Sequence, residues 1–174
     1  MCMIRYLNEL VDAGVTSFKI EGRMKSPYYV ATVVNAYRRA IDNYSNGVDF
    51  DEGLIEELEK TSHRRYTTGF FFGAKDKEYI ESSMPIQTHE FMAIVKADYD
   101  NGKVLIEQRN RFKVGDELEV LSPNDTFNKI IKIEKMEDEK GKVIKDASLV
   151  QQQIYLTTDL KLMKGDILRK KIDK

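Results

Sequence analysis

The spacing of apolar residues changes once along this chain, near Met84, and that change limits the folds open to it. Before this point, apolar residues recur every three or four positions between Val30 and Tyr44, which predicts an amphipathic helix. After it, apolar and polar residues alternate from Phe91 to Ala97, which is typical of a half-buried strand. The sequence therefore predicts an α+β protein, helical first and β-rich afterwards.

Residues 1–60 are predicted to form β/α units. A helix is expected over 7–13, and a strand over 15–20, where "VTSFKI" has strand composition. Ser26 followed by Pro27 predicts the start of a long helix, because serine caps helices and proline suits their first position. The apolar stripe of this helix consists of Val30, Val33, Val34, Tyr37, Ile41 and Tyr44. A further short helix is expected over 51–60.

Residues 85–174 are predicted to form a small six-stranded antiparallel β-barrel. Asn101-Gly102 between two alternating segments is a strong hairpin signal. Several short strands with turn residues between them favour a barrel, because closure removes exposed sheet edges. Residues 61–84 are rich in Thr, Gly and aromatic residues without a clear period, so we expect an ordered connector there.

Composition excludes several classes of protein but selects none. The 28 basic and 29 acidic residues nearly cancel, so the net charge indicates no partner. The single cysteine, Cys2, rules out an intrachain disulfide and favours the cytoplasm. No apolar run reaches the ~20 residues that a membrane helix needs, so no membrane partner is expected. The two histidines, His63 and His89, provide neither a zinc motif nor a catalytic triad, so no cofactor is expected on this chain alone.

The segment "EGRMK" places three charged residues between the expected strand and the long helix. The ends of parallel strands carry the binding sites of α/β proteins, and helix N-termini attract anions. Arg23 and Lys25 are therefore candidate phosphate contacts, with Glu21 and Gly22 forming the rim. The alternative is a structural salt bridge between Glu21 and one of the two cations.

A second candidate site is the segment "SHRRY". His63, Arg64, Arg65 and Tyr66 combine basic and aromatic side chains, and "GFFFG" follows. Guanidinium groups suit RNA phosphates and aromatic rings stack on bases, so this composition suits RNA binding. The alternative, which composition favours, is that the Phe run packs in a core and the basic residues are merely solvated.

Both segments, "SFKIEGRMKSPYYVATVVNAYRRAID" and "SHRRYTTGFFFG", resemble the collagenase-like U32 peptidase family. The match runs from Cys2 to about Gly73. The β-rich remainder is similar, in layout, to the C-terminal accessory domain of that family, a barrel like those of translation elongation factors. The resemblance implies a longer protein whose N-terminal catalytic barrel lies outside this chain, and Met1 would then start a fragment.

The resemblance implies two activities for the parent protein. One is proteolysis, including collagen degradation. The other is hydroxylation of a transfer RNA uridine with an iron–sulfur cluster, for which "MCMI" would supply Cys2 as one ligand. The remaining cluster cysteines would lie in the longer protein.

Three roles stay open for the chain itself. It would be an accessory module that binds transfer RNA or protein substrate without catalysing a reaction, part of a transfer RNA uridine hydroxylase, or a structural barrel that supports oligomerisation. Because the apolar faces of residues 1–45 would pack on the absent barrel, they are also expected to form a homodimer or to associate in another way.

Overall fold

The computed structural model describes residues 1–73 and 84–172. The chain divides into two compact units, Met1–Thr88 and His89–Lys174, and each is described by itself. The predicted connector over 61–84 lies partly outside the described residues. Among the described residues, no helix combines the length and the apolar character needed to cross a bilayer.

Helices dominate the first unit. A short 3-10 helix (Ile4–Tyr6) leads into α1, and the chain then forms α1 (Leu7–Asp12), α2 (Pro27–Ser45) and α3 (Gly53–Glu59). Ser26 caps α2 as predicted, because its hydroxyl accepts a hydrogen bond of 3.2 Å from the backbone N–H of Tyr29. All three predicted helices are therefore present.

The core of the first unit lies where the three helices meet. The buried face of α2 is built on Val33, Ala36 and Ala40 rather than on the whole predicted stripe. Val34 is 46% exposed, because it lies about 100° around the helix from Val33. The buried cluster consists of Ile4, Leu7, Val33, Ala36, Ala40, Leu54 and Leu58.

The prediction of a strand over 15–20 is wrong. These residues form no strand, because a strand requires a partner for its backbone groups and the described part of the first unit offers none. Phe18 and Ile20 nonetheless pack against the buried cluster of the helices. The apolar side chains of this segment are therefore used, although its backbone is not paired in a sheet.

Antiparallel strands build the second unit. They are β1 (His89–Val95), β2 (Lys103–Gln108), β3 (Phe112–Lys113), β4 (Glu117–Leu121), β5 (Ile130–Lys132), β6 (Met136–Asp138), β7 (Val143–Ile144), β8 (Asp146–Ala147), β9 (Gln153–Thr157) and β10 (Ile167–Lys171). Eight of them form one sheet in the order β5-β4-β10-β1-β2-β9-β6-β7, and β3 pairs with β8. This confirms the predicted α+β class.

The predicted hairpin at Asn101-Gly102 is confirmed. Both residues have positive φ, 46° and 81°, which a tight two-residue turn of this kind requires. Asp100 and Lys103 flank the turn and exchange two backbone hydrogen bonds of 2.9 Å. Local sequence chemistry therefore fixes the register of β1 and β2.

The sheet curls into a half-barrel. Among the described residues, no pairing joins its edge strands β5 and β7, so the barrel is open rather than closed. The described residues form ten strands instead of the six predicted, since the additional ones are pieces of two or three residues. One continuous apolar cluster fills the inside of the curl, with Ile106, Leu118, Ile133 and Ile154 among its fully buried members.

Candidate functional site

The turn "EGRMK" is organised by backbone hydrogen bonds. The Glu21 carboxylate accepts a hydrogen bond of 2.8 Å from the backbone N–H of Arg23, and the N–H of Lys25 donates to the carbonyl of Gly22 at 2.9 Å. A Cβ atom on Gly22 would lie 2.8 Å from Cγ2 of Val30, so glycine is needed where the turn meets α2. The alternative, a salt bridge between Glu21 and Arg23 or Lys25, is absent from the described residues. The Arg23 side chain is exposed without a partner among them.

Lys25 joins the two predicted segments. Its ammonium group lies 3.5 Å from the carbonyl oxygen of Ser62, the residue directly before His63. The same group lies 4.9 Å from the centre of the Tyr29 ring, a cation–π distance. The chain segments that hold "EGRMK" and "SHRRY" therefore meet in space, although 37 residues separate Lys25 from Ser62.

The segment "SHRRY" divides into an inner and an outer half. The His63 ring is buried, stacks on the Tyr66 ring at 4.2 Å, and has Nδ1 2.8 Å from the carbonyl of Thr61. Arg64 and Arg65 are exposed. The two rings therefore support the segment from inside, and the two guanidinium-bearing residues face the solvent.

A cleft of about 540 Å³ opens in the first unit beside these segments. Its lining includes Cys2, Phe18, Glu21, Tyr29, Tyr37, Tyr66 and Phe71. Burial raises the pKa of Tyr29, Tyr37 and Tyr66, and electrostatic repulsion from the nearby Cys2 raises each of these pKa values further. The three phenols therefore stay neutral at physiological pH and act as hydrogen-bonding and packing groups rather than as bases.

Cys2 lies in this lining and is half-buried. Its Sγ is 3.7 Å from the hydroxyl oxygen of Tyr37, which also accepts a hydrogen bond of 3.1 Å from the backbone N–H of Met3. In residues 1–73 and 84–172, no three side chains of His, Cys, Asp or Glu lie together as a metal site would need. The residues around Cys2 do not fit an iron–sulfur cluster by themselves, because such a cluster is held by several thiolates.

The run Phe70–Phe72 is exposed, so its predicted alternative role in core packing is wrong. The exposed fractions are 89% for Phe70, 58% for Phe71 and 51% for Phe72. The run forms a turn bounded by Gly69 and Gly73, whose φ values are 67° and 86°. Chain reversal at two glycines turns these rings outwards, although the Phe72 ring still contacts the Tyr6 ring at 4.6 Å.

Basic residues of both units, such as Arg5 and Lys60 of the first unit, take part in ion pairs. Arg169 is fully buried, where its Nε donates to Glu119 at 2.8 Å and its Nη2 donates to Asn128 at 2.7 Å. On the sheet surface, Lys103 pairs with Glu137 at 2.5 Å. These pairs serve the fold, whereas Arg23 and Arg64 of the first unit have no ion-pair partner among the described residues.

Two family models match the chain. The model described as "Peptidase family U32" matches residues 1–81, and the model described as "Peptidase family U32 C-terminal domain" matches residues 87–169. A solved C-terminal domain from a Geobacillus thermoleovorans protein described as a U32 peptidase is 31% identical, covers 47% of this chain and 99% of its own, and gives a TM-score of 0.44.

Curated relatives carry two kinds of name. The "tRNA hydroxylation protein P1" of Bacillus subtilis (strain 168) is 34% identical over 97% of this chain and 41% of its own length. The "tRNA hydroxylation protein P" of Escherichia coli (strain K12) is 35% identical over 81% of this chain and 31% of its own. A "Collagenase" of Porphyromonas gingivalis is 40% identical over 44% of this chain and 19% of its own. The chain thus spans between 19% and 41% of the length of these relatives.

Proposed function

The chain belongs to the peptidase U32 family, and from this premise we propose that it is the part of a transfer RNA hydroxylation protein that binds the RNA. The alignment with the Bacillus subtilis protein named for tRNA hydroxylation carries this proposal, because it runs through both units of the chain. Hydroxylation itself would be performed by parts of a longer protein. A cytoplasmic location suits this role.

The charges of the first unit support an RNA substrate. Lys25 contacts the carbonyl of Ser62, next to the "SHRRY" segment, in which Arg64 and Arg65 are exposed. A phosphate backbone attracts such a group of cations, and each contact releases counterions. Weak binding is expected, because the chain as a whole has a net charge of −1.

Salt-dependent titration tests this proposal. With about three to five phosphate contacts, we expect the logarithm of the affinity for transfer RNA to fall with the logarithm of salt at a slope of roughly −2 to −4. Replacing Arg64 and Arg65 with Ala should flatten the slope by about one to two units. The matched control is Lys140→Ala with Lys142→Ala, which removes the same charge from exposed positions of the second unit. Equal slopes for both double variants, or no measurable binding, would refute the proposal.

Peptide binding is the second candidate function. The Porphyromonas gingivalis protein named collagenase matches 80 residues at 40% identity, and the apolar cleft of the first unit has room for side chains of a peptide. A gelatin peptide that displaces transfer RNA from the chain would favour this candidate. Under the RNA proposal, the peptide leaves the bound transfer RNA in place.

A further inference from the structure

We propose that the exposed turn Phe70–Phe72 is a stacking platform for unpaired bases of single-stranded RNA. This inference rests on the proposed RNA-binding function and adds to it the form of RNA that the site takes. Three neighbouring phenylalanines that are each at least half exposed are costly for a soluble protein unless a partner covers them. A partner that offers flat apolar faces together with negative charge suits both these rings and the nearby cations.

The turn is anchored on one side and open on the other. The Phe72 ring lies 4.6 Å from the ring of Tyr6 in a tilted arrangement, which fixes the turn to the 3-10 helix. Phe70 is the most exposed of the three, and Phe71 combines an exposed ring with a place in the lining of the cleft. Two of the three rings are thus available to a ligand while the third holds the turn in place.

One cation, Lys19, is part of the lining of the cleft that Phe71 also lines, and a second, Lys25, lies beside it. Phe71, Glu21 and Tyr29 line one cleft, and the Lys25 ammonium stands over the Tyr29 ring. The volume of about 540 Å³ lies within the range of roughly 300–1,000 Å³ that is usual for small-molecule sites. A single strand can place a phosphate near Lys25 and a base on Phe71, because its bases are not committed to a helix.

The short chain segment between them also keeps Arg64 close to Phe70. Arg64 and Phe70 are six residues apart, so a fully extended chain separates them by at most about 20 Å. Single-stranded sites commonly extend over about 4–16 nucleotides, which is enough to contact both. A paired duplex would hide its base faces in the stack and could not use the phenylalanine rings.

Binding of a fluorescent 12-nucleotide oligouridylate, compared with an RNA duplex of equal length, tests the platform. Affinities of the variants are compared at one salt concentration, and a salt series gives the slope. We expect Phe70→Ala with Phe71→Ala to weaken oligouridylate binding about 5- to 140-fold, from the stacking contribution of a single base. The salt slope should stay unchanged, because the phosphate contacts remain. Substitution of both residues by Tyr should keep most of the affinity. The matched control is Val150→Ala, because this residue of the second unit is as exposed as Phe70, at 89%.

Several other outcomes would overturn the proposal of a stacking platform. If the Ala variant binds the oligouridylate within twofold of the unchanged chain, the rings do not stack on bases. If that result accompanies a salt slope that still depends on Arg64 and Arg65, the RNA-binding function survives and only the platform fails. Absence of all RNA binding refutes both, and equal binding of the duplex contradicts the choice of single strands. A loss of gelatin-peptide binding instead of RNA binding would assign the turn to peptides.

Discussion

The buried ion pair of the second unit gives a sharp stability prediction. Arg169 is fully buried, and its guanidinium donates to Glu119 at 2.8 Å and to Asn128 at 2.7 Å. Glu119→Gln keeps the shape of the side chain but leaves the Arg169 charge without its counter-charge. Breaking a buried pair in this way costs about 3–5 kcal/mol. We expect the lower part of that range, because Gln keeps an acceptor oxygen and the Glu119 side chain is 15% exposed.

Amide hydrogen exchange of the whole chain, followed by NMR, measures this loss. It reports on β4 and β10 directly, so unfolding of the first unit does not obscure the result. The slowest amides of these strands should exchange faster by roughly two to three orders of magnitude, since 1.36 kcal/mol corresponds to a factor of ten. Adding Arg169→Met to Glu119→Gln should recover part of the loss, because no unpaired charge then stays buried.

The matched control breaks an ion pair at the surface. Arg111→Met removes the ion pair with Asp146. The Arg111 side chain is 72% exposed and the Asp146 side chain is 36% exposed. Exchange in β4 and β10 should then stay nearly unchanged, because water replaces the lost partner. The reasoning is refuted if Glu119→Gln changes the exchange rates no more than Arg111→Met does.

Three further predictions concern local contacts. Gly22→Ala should lower the free energy of unfolding by about 1–3 kcal/mol, because the added Cβ would lie 2.8 Å from Val30. Adding Val30→Ala should recover part of this loss, whereas purely additive effects of the two substitutions would exclude the clash. Ser26→Ala should cost about 1 kcal/mol by removing the helix cap, and Ser26→Asp should cost less in the same urea titration. Hydrogen bonds from neighbouring lysines lower the pKa of Glu137 from 4.5 to about 2, so its stabilising effect is present above pH 4.5 and is lost as the pH falls towards 2. Lys103→Met should raise that pKa in a carboxyl NMR titration, and an unchanged value would contradict the assignment.

Features fixed by local chemistry could be predicted from the sequence. The cap at Ser26 and the turn at Asn101-Gly102 depend on a few adjacent residues, and both are present in the structure. The strand over 15–20 could not be judged in this way, because pairing depends on a partner elsewhere in the chain. A bulge between Phe91 and Ala93 likewise shifts the register of β1, so that Met92 and Ala93 are both buried and strict alternation fails.

The candidate residues were chosen from the sequence, but their arrangement in space was not predictable from it. Charge and aromatic content identified Arg23, Lys25 and Arg64 from the sequence alone. The approach of Lys25 to Ser62 depends on the packing of α2, and no spacing in the sequence indicates it. Exposure of the Phe70–Phe72 turn was also unpredictable, because a run of three phenylalanines is equally suited to a core.

Photo-crosslinking of the chain to transfer RNA that contains 4-thiouridine, followed by mass spectrometry of the crosslinked peptides, tests most directly whether the first unit binds RNA. The predicted crosslinks lie in peptides that contain residues 21–25 or 61–73, and the yield should fall for the variant with Arg64→Ala and Arg65→Ala. Crosslinks confined to residues 89–172, or a yield no higher than that of a neutral control protein, would contradict the RNA-binding role.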